Sequence, residues 1–226
     1  MKKVLFILFA FALSLSGCEF DNYEPPQSFL TGRLVYEGTP VEIRQGVNVL
    51  QLYQPGWQNF TPITMNVKQD GTFSSVLFEG DYKLVPIQGT GPFIVSNLDT
   101  INVQVKGSQT TVDVPVQPYF MTRNESFQVN GTSLKATFNI DKIVGSATLD
   151  KVGIFIGNNI LVDNQNMLKG MANYEVNGST LVNLNQPVTL NVQISNNARS
   201  YVFARIGVKA TQSAEYVFSP VQKIEL

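Results

Sequence analysis

Asp70-Gly71-Thr72-Phe73-Ser74-Ser75-Val76-Leu77-Phe78-Glu79-Gly80-Asp81-Tyr82-Lys83-Leu84 is the stretch on which the reading of the fold turns. Asp70-Gly71 follows Met65-Asn66-Val67 and precedes an alternating run over residues 73–78, so it reads as a two-residue hairpin loop supplying the positive φ that strand twist requires. Glu79-Gly80-Asp81 is a second turn, and Tyr82 and Leu84 alternate with Lys83 in the strand that follows. Period two with turn residues at short intervals predicts half-buried strands, not helices.

The same pattern runs outward on both sides. Leu30, Leu34 and Tyr36 alternate with Thr31 and Arg33, and Val47 and Val49 flank Asn48. Ile101, Val103 and Val105 alternate with Asn102 and Gln104, and Val112, Val114 and Val116 with Asp113 and Pro115. From Tyr119 the chain restarts. Leu134, Ala136, Phe138 and Ile140 alternate, Val152-Gly153-Ile154-Phe155-Ile156 reads as a strand buried on both faces, and Val188, Leu190, Val192 and Ile194 alternate again. Residues 201–210, a turn at 211–214 and residues 216–224 close the chain as a hairpin. The expectation is an all-β chain of two tandem β-sandwich domains, residues 29–118 and 119–226. Phe29, Phe73, Phe138 and Phe203 are assigned to its cores.

The first 28 residues read differently. Lys2 and Lys3 precede an apolar run that ends in Leu15-Ser16-Gly17-Cys18, the grammar of a lipoprotein signal peptide over residues 1–17 with Cys18 as the lipidated residue. The run is too short for a membrane span. Residues 18–28 are then the lipidated cysteine and a tether. Glu19, Asp21 and Glu24 followed by Pro25-Pro26 make it acidic and extended, reaching up to about 30 Å, and resemble the surface-export signal of Bacteroidetes lipoproteins. The expected location is the outer membrane, lipid-anchored and facing the cell exterior.

Of 226 residues, 43% are hydrophobic and 15% charged, which fits globular domains. Without Lys2 and Lys3 the 16 basic residues become 14 against 17 acidic, a net charge of −3 with no basic block, so nucleic acid is not an expected partner. There is no histidine, and the single cysteine is Cys18. That inventory excludes Ser-His-Asp triads, Cys-His dyads and His- or Cys-ligated zinc or haem. No cofactor and no catalytic residue is expected. An enzyme built from this chain would need two carboxylates facing each other across a cleft, with Glu79, Asp81, Asp99 and Asp113 as the acids to place.

Three segments read as candidate sites. Tyr53-Gln54-Pro55-Gly56-Trp57-Gln58-Asn59-Phe60 carries the only tryptophan in a Pro-Gly loop: Trp57, Tyr53 and Phe60 offer stacking faces, and Gln58 and Asn59 can donate to and accept from hydroxyls, the mixture a sugar ring needs. The competing reading folds Trp57 onto the sandwich edge. Asn158, Asn159, Asp163, Asn164, Asn166, Asn173 and Tyr174 form a polar connection that could bind a ligand or calcium. It lacks the Asp-x-Asp-x-Asp-Gly spacing, and Asn-rich loops turn for backbone reasons, so no metal site is expected. Asp99-Thr100-Ile101 resembles a Bacteroidetes O-glycosylation acceptor, which would place a glycan on Thr100.

Gly32-Arg33-Leu34, Asp70-Gly71-Thr72-Phe73 and Gly80-Asp81-Tyr82-Lys83-Leu84 together resemble the carboxypeptidase-regulatory, transthyretin-like sandwich, which implies turn roles for Gly71 and Gly80 and core roles for Phe73, Tyr82 and Leu84. The closing hairpin resembles that of immunoglobulin or fibronectin-III modules. As a whole the chain resembles a family of Bacteroides surface lipoproteins of undefined function associated with glycan-uptake loci. That resemblance implies a non-catalytic accessory that binds polysaccharide or oligosaccharide beside outer-membrane transporter components. A structural or adhesin-like module joined to partners through strand edges is the alternative, and a carboxylate-dependent glycosidase a remote one.

Overall fold

The structure is a computed structural model that describes residues 24–56, 61–95, 100–169, 174–181, 183–194 and 200–226. Cys18, Trp57, Gln58, Asn59, Phe60, Asp99 and Asn173 lie outside the described residues.

The first half contributes β1 (Ser28–Tyr36), β2 (Thr39–Pro40), β3 (Leu50–Tyr53), β4 (Ile63–Met65), β5 (Thr72–Leu77), β6 (Gly80–Pro86), β7 (Phe93–Ile94), β8 (Ile101–Val105), β9 (Gln109–Pro115) and β10 (Gln117–Pro118). One sheet centres on β1, with β5 antiparallel on one edge and β9 parallel on the other; β2 extends the β5 edge. The facing sheet runs β4-β3-β6-β8. Alternation puts Leu30, Leu34, Phe73 and Val114 of the first sheet against Leu50, Leu52, Leu84 and Val103 of the second, and burying these side chains drives the sandwich together. Tyr82 is buried with them, its hydroxyl donating to the Phe78 carbonyl at 3.0 Å, so its polar tip costs nothing inside the core. Gly32 lets this packing close: a Cβ there would sit 1.9 Å from the Val112 carbonyl oxygen and 2.5 Å from the Phe73 ring.

Two expectations are corrected here. The Asp70-Gly71 loop has three residues, not two: Lys68 N–H bonds to the Thr72 carbonyl at 2.8 Å, and Gly71 takes φ 78°. It also joins two sheets, since β4 pairs with β3 and β5 with β1. Phe29 does not enter the core; it is 46% exposed because its neighbour Leu30 takes the inward phase. Phe73 and Phe138 are fully buried as expected, and Phe203 is half-buried on the far side of its sheet, against the Tyr201 ring at 5.8 Å.

The second half holds β11 (Phe120–Asn130), β12 (Ser133–Lys142), β13 (Leu149–Gly157), β14 (Glu175–Asn177), β15 (Val188–Gln193), β16 (Tyr201–Ala210), β17 (Tyr216–Phe218) and β18 (Gln222–Glu225). A sheet β11-β12-β15 packs on a sheet β14-β13-β16 to which β17 and β18 add along one edge of β16. Between β17 and β18 the ladder is interrupted at Ser219-Pro220-Val221. Pro220 has no N–H to give, and Ser219 fills the gap: its Oγ accepts the buried Ile206 N–H at 2.9 Å. Phe138, Leu190, Ile154, Ile206 and Val208 form the core between the sheets. Phe155 points the other way and packs edge-on against Tyr174, Tyr216 and Phe218, with centroids 5.3–5.9 Å apart. So β13 is buried on both faces, as its continuous apolar run requires.

That second face is covered by the connection after β13 and by β17, and the N-terminal sandwich meets it at Arg205, opposite Phe155. Glu42 and Phe218 form an antiparallel bridge, with the Phe218 N–H on the Glu42 carbonyl at 3.0 Å. Met121 and Val217 pack into the N-terminal core.

Candidate functional site

The chemistry-bearing side chains gather in two places: the outward face of the β3-β6-β8 sheet and the seam between the sandwiches.

On β3, Leu50 and Leu52 point inward, so Gln51 and Tyr53 share the outward face. The Tyr53 ring is half-buried and its hydroxyl donates to Gln51 Oε1 at 2.9 Å. Register then sets its neighbours: Tyr53 lies opposite Lys83, Lys83 opposite Asn102, and Asp81 opposite Gln104. Gln104 Nε2 donates to Asp81 Oδ1 at 3.4 Å. Pro55, Asp81, Lys83, Asn102 and Gln104 line a shallow cavity of about 460 Å³ on this face, with Tyr53 beside Lys83 in register but outside the lining. Gly56, at φ 95°, turns the chain out of the sheet immediately before Trp57. Of the five residues expected to bind, Tyr53 is described and stands on this face; Trp57, Gln58, Asn59 and Phe60 lie outside the described residues. Lys83, Asn102 and Gln104, which share this face, carry no signal in the sequence that groups them with Tyr53.

The polar connection after β13 serves the fold. Asp163 is 3% exposed and its Oδ1 accepts the N–H groups of Gln165 at 2.7 Å and Asn166 at 2.8 Å, with the Asn166 amide on the same carboxylate. This is a side-chain-stabilised turn. It leans on the first sandwich: Gln69 Nε2 donates to the Ile160 carbonyl at 2.9 Å and Arg44 to Gln165 Oε1 at 3.3 Å. Tyr174 belongs to the Phe155 aromatic cluster. Among the described residues no group of three His, Cys, Asp or Glu side chains is placed to hold a metal ion. Thr100 is exposed, just before β8.

Of the carboxylates considered for hydrolysis, Asp99 lies outside the described residues, and Asp81 and Asp113 stand on opposite sheets. Asp81 lies on the outward face of one sheet and Asp113 on that of the other, where it is paired with Arg33; Glu79 Oε1 accepts the Gly107 N–H at 2.6 Å. The core of the sandwich separates the two aspartates.

Among the described residues the seam holds the one fully buried charge, at a position the sequence analysis does not single out. Arg205 is 0% exposed, reaching Glu42 Oε2 at 3.3 Å and Gln69 Oε1 at 3.4 Å, with its guanidinium 4.1 Å from the centre of the Phe218 ring. Burial raises the Glu42 carboxyl to about 7; Arg205 pulls it down, and Asp70 and Glu125 push it up. Burial likewise lowers Arg205 to about 10, against the pull of Glu42 and Asp163. Both partners are displaced toward neutrality, so their attraction does not repay their desolvation. Arg44 and Glu215 make a better-formed pair nearby, joined at 2.6 and 3.1 Å. An arginine inside the apolar run 202–208 was the available signal for a buried anion partner.

The arrangement defines a two-sandwich, nearly all-β protein whose candidate binding surfaces are open sheet faces. Residues 28–117 match the family described as protein of unknown function (DUF3823) N-terminal domain, and residues 120–223 match the domain of unknown function DUF3823_C; the chain belongs to the DUF3823 family. Among solved structures, a DUF3823 family protein from Bacteroides ovatus is 38% identical with a TM-score of 0.78, and one from Parabacteroides merdae is 35% identical with a TM-score of 0.79. Each comparison covers 89% of this chain and 100% of the other. A Bacteroides uniformis protein described as a candidate carbohydrate binding protein shares the fold at 20% identity, TM-score 0.74 and the same coverage. Comparison with curated proteins returned no match.

Proposed function

We propose that this chain is a non-catalytic, lipid-anchored surface protein that binds glycan on the outward β3-β6-β8 face, as an accessory to a polysaccharide-uptake system. The observation that carries the reading is the composition of that face: the amides of Asn102 and Gln104, a cation and a carboxylate line a shallow cavity, and an aromatic ring held by Gln51 stands opposite Lys83 on the neighbouring strand. Amides and exposed ions exchange hydrogen bonds with sugar hydroxyls at small desolvation cost, while a ring accepts the C–H face of a pyranose. Trp57, four residues after Tyr53 in the sequence, is the second ring assigned to the ligand. The description of the B. uniformis relative supports the same ligand class. Lipidation at Cys18 and the tether ahead of β1 would hold this face to the cell exterior beside transporter components.

The test is a titration of residues 19–226 with plant, host and fungal polysaccharides, following the fluorescence of the single tryptophan. A saturable shift is expected, lost in Trp57→Ala and weakened about tenfold or more in Tyr53→Ala, with circular dichroism unchanged. No response from any polysaccharide would overturn the reading.

A further inference from the structure

The opposite sheet of the same sandwich presents a second patterned face. β1 is flanked by β5 and β9, and the registers align their outward residues in rows: Ser74, Thr31 and Thr111 form one, Thr72, Arg33 and Asp113 the next. A groove of about 650 Å³ runs over these rows. Its polar groups are already oriented by one another. The Thr31 hydroxyl accepts from Gln109 Nε2 at 3.1 Å and shares a 3.0 Å bond with the Thr111 hydroxyl; Arg33 Nε and Nη2 donate to the two Asp113 oxygens at 3.1 and 3.4 Å.

The row at the start of β1 is apolar. Phe29 lies opposite Val76, with Phe78 diagonal to it, and each is 45–46% exposed. Three of the seven large exposed hydrophobics among the described residues therefore sit together beside the polar rows. Exposed apolar side chains gathered in this way mark contact surfaces.

We propose that this face is a second carbohydrate site, taking an uncharged glycan segment laid along β1. The inference rests on the glycan-binding reading above. The apolar row receives a C–H ring face, the Thr and Ser hydroxyls and the Gln109 amide meet sugar hydroxyls, and the Arg33–Asp113 pair offers donors and acceptors side by side to a vicinal diol. The Arg33–Asp113 pair is neutral overall and Lys68, which also lines the groove, adds a single positive charge, too little to make the face a polyanion-binding surface. From Phe29 to Arg33 is about 13 Å along the strand, longer than one sugar ring, so the ligand is an oligosaccharide. With Tyr53 on the other side, one sandwich would hold a long polysaccharide at two points, and its apparent affinity would exceed that of either face.

The experiment maps backbone amide shifts of residues 19–226, which hold every strand of both sandwiches, during titration with hexasaccharides of glucose, mannose, xylose and galactose. Shifts at Thr31, Ser74 and Thr111 are expected in addition to shifts at Gln51, Lys83 and Asn102. The charge-preserving double variant Arg33→Ala/Asp113→Ala and the variant Phe29→Ala should each weaken the first set about tenfold or more while leaving the second. Shifts confined to the Tyr53 face would overturn the second site and leave glycan binding standing. Shifts on neither face with all four hexasaccharides would overturn both. If Phe29→Ala instead reduced binding to phosphatidylglycerol–phosphatidylethanolamine vesicles with no sugar shift on this face, the patch would belong to the membrane and the proposal would fall.

Discussion

Replacing Arg205 with methionine should destabilise the protein by an amount that grows with pH. Methionine fills most of the arginine volume and keeps a sulfur against the Phe218 ring, so little cavity forms. The loss is then electrostatic and runs through Glu42. In the native protein this carboxyl sits near 7, held down by Arg205 alone among its causes while burial, Asp70 and Glu125 raise it. Without the guanidinium it rises further. Near pH 5.5 the group is protonated in both proteins, and the loss of the weak contacts to Glu42 and Gln69, about 1 kcal/mol, is offset in part by relief of the burial cost of the Arg205 charge, so the penalty there is at most about 1 kcal/mol. Near pH 8.5 the wild type carries a paired anion, whereas the variant must take up a proton against the solvent. That extra cost is capped at about 2 kcal/mol, the work of protonating a carboxyl about 1.5 pH units above its native value. The penalty therefore rises by up to about 2 kcal/mol between the two pH values.

The wild type should show the parent effect. Its folded carboxyl lies near 7 against an ordinary value of 4.5, so the stability this group contributes is fully present below about 4.5 and lost as pH rises through about 7. The gap corresponds to about 3 kcal/mol. Urea titrations at both pH values, followed by tryptophan fluorescence and circular dichroism, measure all of these terms. Glu42→Gln/Arg205→Met should remove the pH dependence from both effects. An equal penalty at the two pH values, or wild-type stability that is flat or increases between them, would refute the reasoning.

Gly32→Ala should cost about 3 kcal/mol in chemical denaturation, since its Cβ would meet the Val112 carbonyl at 1.9 Å and β1 cannot withdraw from β9 without breaking the parallel ladder. Ser219→Ala strands the buried Ile206 N–H and should lower stability by about 1–3 kcal/mol, with faster hydrogen exchange at Ile206 as the local sign. Asp163→Ala removes the acceptor of two backbone N–H groups and should loosen the connection after β13 by about 2 kcal/mol; millimolar calcium should alter the melting temperature of neither protein, and a calcium-dependent rise in the wild type alone would overturn the structural role given to Asp163.

The strand phases were legible because burial follows side-chain alternation: Leu30 and Leu34, Val103 and Val105 point where period two puts them. Phe29 is as hydrophobic as the core residues but obeys the phase, since Leu30 beside it takes the inward position. Asp70-Gly71 announced a turn but not its destination, since local backbone chemistry is the same whether the next strand joins the same sheet or the facing one. The partners of Tyr53 and of Arg205 were hidden for another reason. Lys83 and Asn102 reach Tyr53 only through strand register, and Glu42 lies 163 residues from Arg205. Pairings of that range are decided by how sheets close, which no short window of sequence carries.

The seam and the open faces divide the labour of the N-terminal sandwich. Its segment at Glu42 and the turn at Gln69 are committed to the second sandwich, which also inserts Met121 and Val217 into its core. Its two outward sheet faces stay free of that contact and carry the exchangeable hydroxyls, amides and rings. A variant that weakens the seam would therefore lower the folded population that either face needs, and ligand binding would decline without any sugar contact having been touched. A variant on an outward face, such as Lys83→Ala, changes an exposed side chain and leaves that population nearly intact. Loss of binding assigns a residue to the ligand only when the urea midpoint is unchanged, and by that criterion Tyr53 and Arg33 are decisive positions while Arg205 is not.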